Sequence, residues 1–262
     1  MIDMYVLLPL VFFFFIGTLI GSFTNVLIDR MPKGRKIFLD RSKCENCNKK
    51  LSPLELIPLF SYIFLQGKCY GCGNKIPKRL FLIELLMGAL YSLFYVAYFF
   101  EFINVSQLVL VSFLLPAFVA IFFIDLFKGV VPDALTVYIL VVVLIFKPFF
   151  DTSQLLNSFV SAAIAFLFFF FLYKITREKG MGAGDVKLAS VLAFLLGFPA
   201  VITGAYLAFL TGALVSIILI LWGKKKLRKS TIPFGPFLIF SSLISYVWGE
   251  KIIEIFQTFF LN

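Results

Sequence analysis

Histidine is absent from this 262-residue chain, and acids are scarce, with 14 Asp and Glu against 24 Lys and Arg. The missing imidazole excludes Ser-His-Asp and Cys-His arrangements, His-ligated metalloprotease centres and the usual general base together. Charged residues are only 15% of the chain, and no long hydrophilic domain or low-complexity linker interrupts it. The one sizeable polar module runs from Asp29 to Arg79. No G-x-G-x-x-G stretch or βαβ pattern occurs either, which excludes a Rossmann-type nucleotide site.

What fills the chain is apolar: 61% hydrophobic residues, 36 Phe and a mean hydropathy of +1.01, more than a soluble core of this length needs. A membrane-spanning helix takes ~20 residues. Apolar runs of that order lie near 4–27, 80–100, 105–125, 133–150, 154–173, 200–222 and 233–249, and an eighth, shorter run begins at Val186 and ends at Gly197-Phe198-Pro199. The expected fold is an all-α polytopic membrane protein of about eight transmembrane helices. Its first span resembles a signal peptide only superficially. The apolar tract is too long, no positive charge leads it, and basic residues follow it, so it reads as a retained helix.

Basic residues in short loops stay on the cytoplasmic side. Residues 28–79 hold 12 of them, the 125–133 turn holds Lys128, 174–187 holds four and 223–230 holds five, which is 22 of 24. Threaded from an outside N-terminus, eight spans put all of these loops inside and leave only Lys147 and Lys251 opposite. The excess of positive charge is thus mostly topology. Spread over every inner loop, it does not make the single basic face that a nucleic acid would need, and no nucleic-acid partner is expected.

All four cysteines fall in the polar module, as Cys44-Glu-Asn-Cys47 and Cys69-Tyr-Gly-Cys72, and "CENCNKKL" repeats as "CYGCGNKI". Two C-x-x-C turns supply four thiolates for one tetrahedral ion, so a small cytoplasmic zinc-ribbon-like module between the first and second spans is expected. The competing readings are two disulfides, disfavoured in a reducing compartment, or free buried thiols. Four sulfurs leave no open coordination position, which makes the expected Zn2+ structural. Between the knuckles, Leu54 to Leu65 is apolar apart from Glu55 and Ser61 and is broken by Pro58. Too short to span, it lies in the membrane interface or packs under the ribbon.

Ionisable groups in or beside spans default to function. On the expected inner side these are Asp125 in "FFIDLFKGVVPDALT", Asp133 in the same stretch, Asp185 after the glycines of "KGMGAGDVKLAS", and Glu84 one turn into the second span. Two aspartates sharing a proton can hydrolyse a peptide bond, one as base on water and the other as acid to the carbonyl. Gly182 and Gly184 before Asp185 would let a substrate backbone approach and open the helix to water. Asp185 and Asp133 also read as helix caps. Asp125 does not, because it sits near a helix C-terminus where the macrodipole disfavours an anion. Glu84 needs a partner, for which Arg79 or Lys78 is within reach. Ser61 and Ser190 lie near lysines without the spacing or context of a Ser-Lys protease.

Together these stretches resemble the type IV prepilin peptidases, membrane aspartyl proteases with a G-x-G-D motif that also N-methylate their product. The resemblance covers nearly the whole chain: "GSFTNVLIDRMP" at 21–32, both C-x-x-C pairs, "IPKRLFLIELLMGALY" at 76–91, "IDLFKGVVPDALT" at 124–136 and "GMGAGDVKLAS" at 180–190, in family order. Thr24, Asp29 and Met31 depart from the commonest wording of the first motif. The resemblance implies a multi-pass protein of the bacterial inner membrane with active sites facing the cytoplasm. Its substrates would be prepilin or pseudopilin precursors, cut after a glycine behind a short positive leader. The new amino terminus, usually Phe, would then be methylated from S-adenosylmethionine.

By the same resemblance the peptidase pair falls on Asp125 and Asp185, with Asp133 as the alternative partner, in a six-helix part at 101–262. The methyltransferase part falls on 1–100 with the 28–79 module, with Gly21, Asn25, Arg30 and Glu84 as candidates. Helix packing accounts equally for Gly21 and Asn25, and positive-inside anchoring for Arg30. A reading of another class remains: a proton-coupled carrier or a membrane scaffold, with the two aspartates as a relay and the ribbon binding a partner. Midplane acids and an internal repeat would mark a carrier. The acids here lie at one membrane face, and the two halves show no repeat.

Overall fold

The computed structural model describes residues 4–37, 41–150, 155–176, 181–222 and 233–260. The basic run 223–230, together with Arg177 and Lys179, lies outside the described residues. Within them the regular secondary structure is helical apart from two isolated antiparallel bridges, Lys43 to Lys50 and Lys68 to Lys75. Five stretches are long and apolar enough to cross a membrane among the described residues: Val6–Lys33, Lys78–Phe99, Val105–Lys128, Leu155–Ile175 and Ala200–Leu221. The chain divides into two compact units, Met1–Ala120 and Ile121–Asn262.

The first unit contains α1 (Met4–Arg30), the short α2 (Phe60–Phe64), α3 (Lys78–Phe99) and most of α4 (Val105–Lys128). Helix α1 packs along α3 over much of its length, and the sequence makes that possible with glycines four apart. A Cβ on Gly17 would lie 2.6 Å from the Met87 carbonyl oxygen and 2.9 Å from the Gly88 Cα, and one on Gly21 would lie 2.9 Å from the Glu84 Cα. Backbone therefore touches backbone, the close approach that small-xxx-small spacing gives helices in lipid. The opposite face of α1 shows Leu8, Phe12 and Leu19 to the outside, as a lipid-facing surface should. Helix α4 starts from a capping box in which Asn104 Oδ1 accepts from the Gln107 amide at 2.8 Å and Gln107 Oε1 accepts from the Asn104 amide at 2.9 Å.

The second unit takes the end of α4 and adds α5 (Asp133–Phe150), α6 (Leu155–Ile175), α7 (Ala183–Leu196), α8 (Ala200–Leu221) and α9 (Gly235–Phe260). Helix α7 packs against α5, α6, α8 and α9. Its apolar residues are accordingly buried from Val186 through Leu195, so protein surrounds it on all sides. At 14 residues it is ~21 Å long, well short of the hydrocarbon thickness. Its far end is tied down. Lys147 Nζ donates to the Phe194 and Leu195 carbonyls, both at 2.9 Å, which places a cation at the negative pole of the helix. Asn157 grips Phe198 twice, donating to its carbonyl at 2.7 Å and accepting from its amide at 3.0 Å.

The α1 to α3 seam makes a direct prediction. Gly17→Val should lower stability in detergent by about 1–3 kcal/mol, the usual cost of overpacking. Leu19→Val, on the exposed side of the same helix, should stay within about 0.5 kcal/mol. Thermal unfolding of the two variants side by side checks this, and equal midpoints would contradict the seam.

Candidate active site and metal centre

Two carboxylates from distant parts of the sequence meet in the second unit. Asp125, in the last turn of α4, is 4% exposed, and Asp185, in the first turn of α7, is 8% exposed. Buried carboxylates need donors. Asp185 does not take the N-cap position expected of it as a simple cap. Gly182 is the N-cap, and Asp185 stands at N3, reaching back so that its Oδ2 accepts from the Gly182 amide at 3.0 Å. The Asp185 amide donates in turn to the Gly182 carbonyl at 3.1 Å.

The donor for Asp125 is one the sequence reading missed. The Gly235 amide, first in α9, donates to Asp125 Oδ2 at 3.0 Å, and Asp185 is close enough for its charge to act on Asp125. A helix N-terminus carries unpaired N–H groups and partial positive charge, so α9 presents its pole to Asp125. A Cβ on Gly235 would stand 2.6 Å from Asp125 Oδ2, so a larger residue would push the carboxylate off this amide. The available signal was Gly235-Pro236 opening an apolar run, since proline tolerates the first helical turn where its missing N–H is not needed. Nothing in that dipeptide points to an acid 110 residues away.

The structure does not bring Asp133 to this pair. It opens α5 after Pro132, and its exposed carboxylate accepts from Lys187 Nζ at 2.8 and 3.0 Å. The two motif glycines also differ. A Cβ on Gly184 would meet Val131 Cβ at 2.9 Å, so close packing demands that glycine. A Cβ on Gly182 would make only ordinary contact, 3.5 Å from Asp185 Oδ2.

In the first unit, Gly21, Asn25 and Glu84 share one α1 to α3 seam. Gly21 serves the helix contact. Asn25 donates through Nδ2 to the Leu80 carbonyl at 3.0 Å, and its Oδ1 is the one buried side-chain acceptor left without a partner among the described residues. Glu84 Oε2 accepts from the Leu59 amide at 3.0 Å. Neither Arg79 nor Lys78 was needed for that, and Arg79 pairs with Asp29. Arg30 donates to the Lys36 and Ile37 carbonyls at 3.2 and 2.8 Å, folding the chain back beyond the helix end.

The cysteine turns are near copies. Each first cysteine amide donates to a carbonyl five residues on, Lys49 or Asn74. The fifth residue of each turn donates back to the first cysteine carbonyl, and Leu51 and Ile76 bond to Ser42 and Gly67. That fifth residue is left-handed in both, Asn48 at φ 56° and Gly73 at φ 71°, the residue types that tolerate it. The four sulfurs all lie within 4.8 Å of one another, with Cys44 Sγ and Cys72 Sγ at 3.9 Å. Sulfurs ~2.3 Å from a tetrahedral zinc stand ~3.8 Å apart, so the cluster is dimensioned for a metal ion. Amides of Cys47 and Asn46 lower the Cys44 thiol to about 6. The Asn74 amide also favours a Cys72 thiolate, but desolvation and the other three sulfurs outweigh it and push that thiol up to about 11. Four thiolates crowd without a cation, and a central cation relieves that.

Comparison with known proteins follows this geometry. The Bacterial Peptidase A24 N-terminal domain matches residues 15–98, and the Type IV leader peptidase family matches residues 112–217. A prepilin leader peptidase/N-methyltransferase of Aeromonas hydrophila is 33% identical over 97% of both chains. Proteins of the same name from Pseudomonas aeruginosa and Bacillus subtilis are 30% and 28% identical, over 93% of this chain and 92% and 96% of theirs. No solved structure matches the chain. With this similarity running through both compact units and through the helices that bear the paired aspartates and the cysteine turns, the chain belongs to the prepilin leader peptidase/N-methyltransferase family.

Proposed function

We propose that this protein cuts the positively charged leader from type IV prepilin-like precursors at the cytoplasmic face of the bacterial inner membrane, using Asp125 and Asp185, and then N-methylates the new terminus. The observation that supports the peptidase half is the pair of buried carboxylates, Asp125 held by the Gly235 amide and Asp185 close enough to act on it. The eight-span threading with the basic loops inside belongs to the same reading. The Lys187 to Asp133 pair at the inner ends of α5 and α7, with Lys147 at the opposite end, accords with it.

The surroundings of the two acids suggest separate roles. Asp185 sits at a helix N-terminus and accepts from the Gly182 amide. Both features favour its charge. Asp125 lies near a C-terminus, where the dipole opposes charge, and so holds the shared proton. Asp185 then takes a proton from water, the water oxygen bonds to the scissile carbonyl carbon, and Asp125 gives its proton to the carbonyl oxygen. As the intermediate collapses, its hydroxyl returns a proton to Asp125, the C–N bond breaks, and the proton on Asp185 passes to the leaving nitrogen. Both acids end as they began.

Residues 1–100 would carry methyl transfer and 101–262 the peptidase. S-adenosylmethionine would supply the methyl group, and its amino groups are donors of the kind the unpaired Asn25 Oδ1 lacks. Cys44, Cys47, Cys69 and Cys72 would hold one structural Zn2+ that fixes the 28–79 module.

Three outcomes test this reading. Asp125→Asn and Asp185→Asn should each reduce release of leader from a prepilin substrate by roughly a thousandfold or more, as losing half of an acid-base pair demands. Asp133→Asn should stay within about threefold, because it removes only an exposed ion pair. Full activity in Asp185→Asn would refute the assignment.

The Gly182 amide can be removed selectively, since its φ of −79° suits proline. Gly182→Pro should cost roughly ten- to a hundredfold in kcat/KM, the worth of one N–H bond to a charged group. Gly182→Ala, which keeps the amide, should stay close to the parent. Equal loss in both would show that the amide has no such role.

Elemental analysis of purified protein should find about one zinc per chain. Cys69→Ser should lose it and expose the 41–79 region to protease. Zinc retained undiminished by that variant would remove the four-sulfur site.

A further inference from the structure

We infer that Pro53–Leu65, between the two cysteine turns, is a re-entrant element that dips into the bilayer and meets lipid acyl chains. The first observation is depth. Glu84 faces α1 at Gly21, and the Leu59 amide bonds to Glu84, so the tip of the segment stands beside Gly21. The Phe60 ring stacks on Phe15, closer still to the N-terminus of α1, with centroids 6.1 Å apart and planes 15° off parallel. The helix ends are marked by the Asp29 to Arg79 pair. From Asp29 back to Gly21 is ~12 Å along α1, and to Phe15 ~21 Å. A surface-bound loop would not reach residues that deep.

The second observation is the backbone. Hydrocarbon offers no water to unpaired N–H groups, so irregular chain at membrane depth must satisfy itself. Here it does. The amides of Glu55, Leu56 and Ile57 donate to Ser52, Pro53 and Leu54, those of Phe60, Ser61, Ile63 and Leu65 donate to Pro58, Ile57, Leu59 and Ser61, and Pro58 has none. Leu59, at the start of α2 with φ 60°, donates to a side chain from another helix. Glu84 supplies it. The costly carboxylate on α3 thereby has a structural duty, as an acceptor for a helix N-terminus held inside the span.

The third observation is the surface left over. Leu54, Phe60, Ile63 and Phe64 are 75%, 46%, 61% and 81% exposed, and through the Phe60 to Phe15 stack they continue the outward apolar face of α1. Charge stands at both ends of the stretch, with Glu55 in its first turn paired to Lys49 and with Lys68 after it. One apolar surface bounded by charge and continuous with a spanning helix is a lipid surface, and acyl chains are the occupant it fits.

Tryptophan fluorescence in phosphatidylcholine vesicles tests this. In a Trp222→Phe, Trp248→Phe background, Phe64→Trp should lose about half or more of its emission when the acyl chains are brominated, and little to aqueous iodide. Tyr70→Trp, on the second cysteine turn, should behave oppositely. Iodide quenching of position 64 with no effect of bromine would place the segment in water and overturn the proposal. Protection from both quenchers would mean that protein covers it, and would overturn it equally. If the background does not accumulate, p-benzoylphenylalanine at position 64 of the otherwise native chain separates the same outcomes by adduct mass: phospholipid supports the dip and a protein adduct refutes it. None of these readouts depends on cleavage or methylation, so they stand or fall apart from the proposed activity.

Discussion

A polar group removed from water must be met by another, and in a chain this apolar the nearest partners are unpaired backbone groups at helix ends. That constraint organises the molecule. Asp125 meets the start of α9 at Gly235, Asp185 meets the start of its own helix at Gly182, and Glu84 meets the start of α2 at Leu59. The one basic side chain at the far end of α7 does the converse and meets two carbonyls. Side-chain ion pairs are left to exposed or half-exposed places, as with Lys187 and Asp133.

What the sequence made legible was local. Apolar length located the long helices to within a few residues at most ends, because a run of ~20 apolar residues has few other solutions. The repeated C-x-x-C turns announced the four-sulfur cluster, while the left-handed Asn48 and Gly73 in those turns went unread. Asp125 and Asp185 stood out because acids are rare beside spans, and the macrodipole argument separated Asp125 from an ordinary cap.

What stayed hidden was contact between a side chain and a distant amide. Gly235 and Leu59 contribute N–H groups that every non-proline residue owns, so no residue type advertises them. Charge reasoning therefore offered Lys78 or Arg79 to Glu84, while the structure offers a backbone. Gly184 was read as a route for substrate, yet its missing Cβ makes room for Val131. Glycine before an acid is a composition signal that does not distinguish close packing from substrate access.

The anchoring of α7 carries a mechanical consequence. Held by Lys147 and Asn157 at one end and fitted around Val131 through Gly184 at the other, this helix can neither piston along its axis nor turn about it without breaking several bonds at once. It is the stator of the second unit. Asp185 is thereby kept at a constant height, and whatever clearance a bound chain requires has to be found in the elements around α7 while α7 itself holds still.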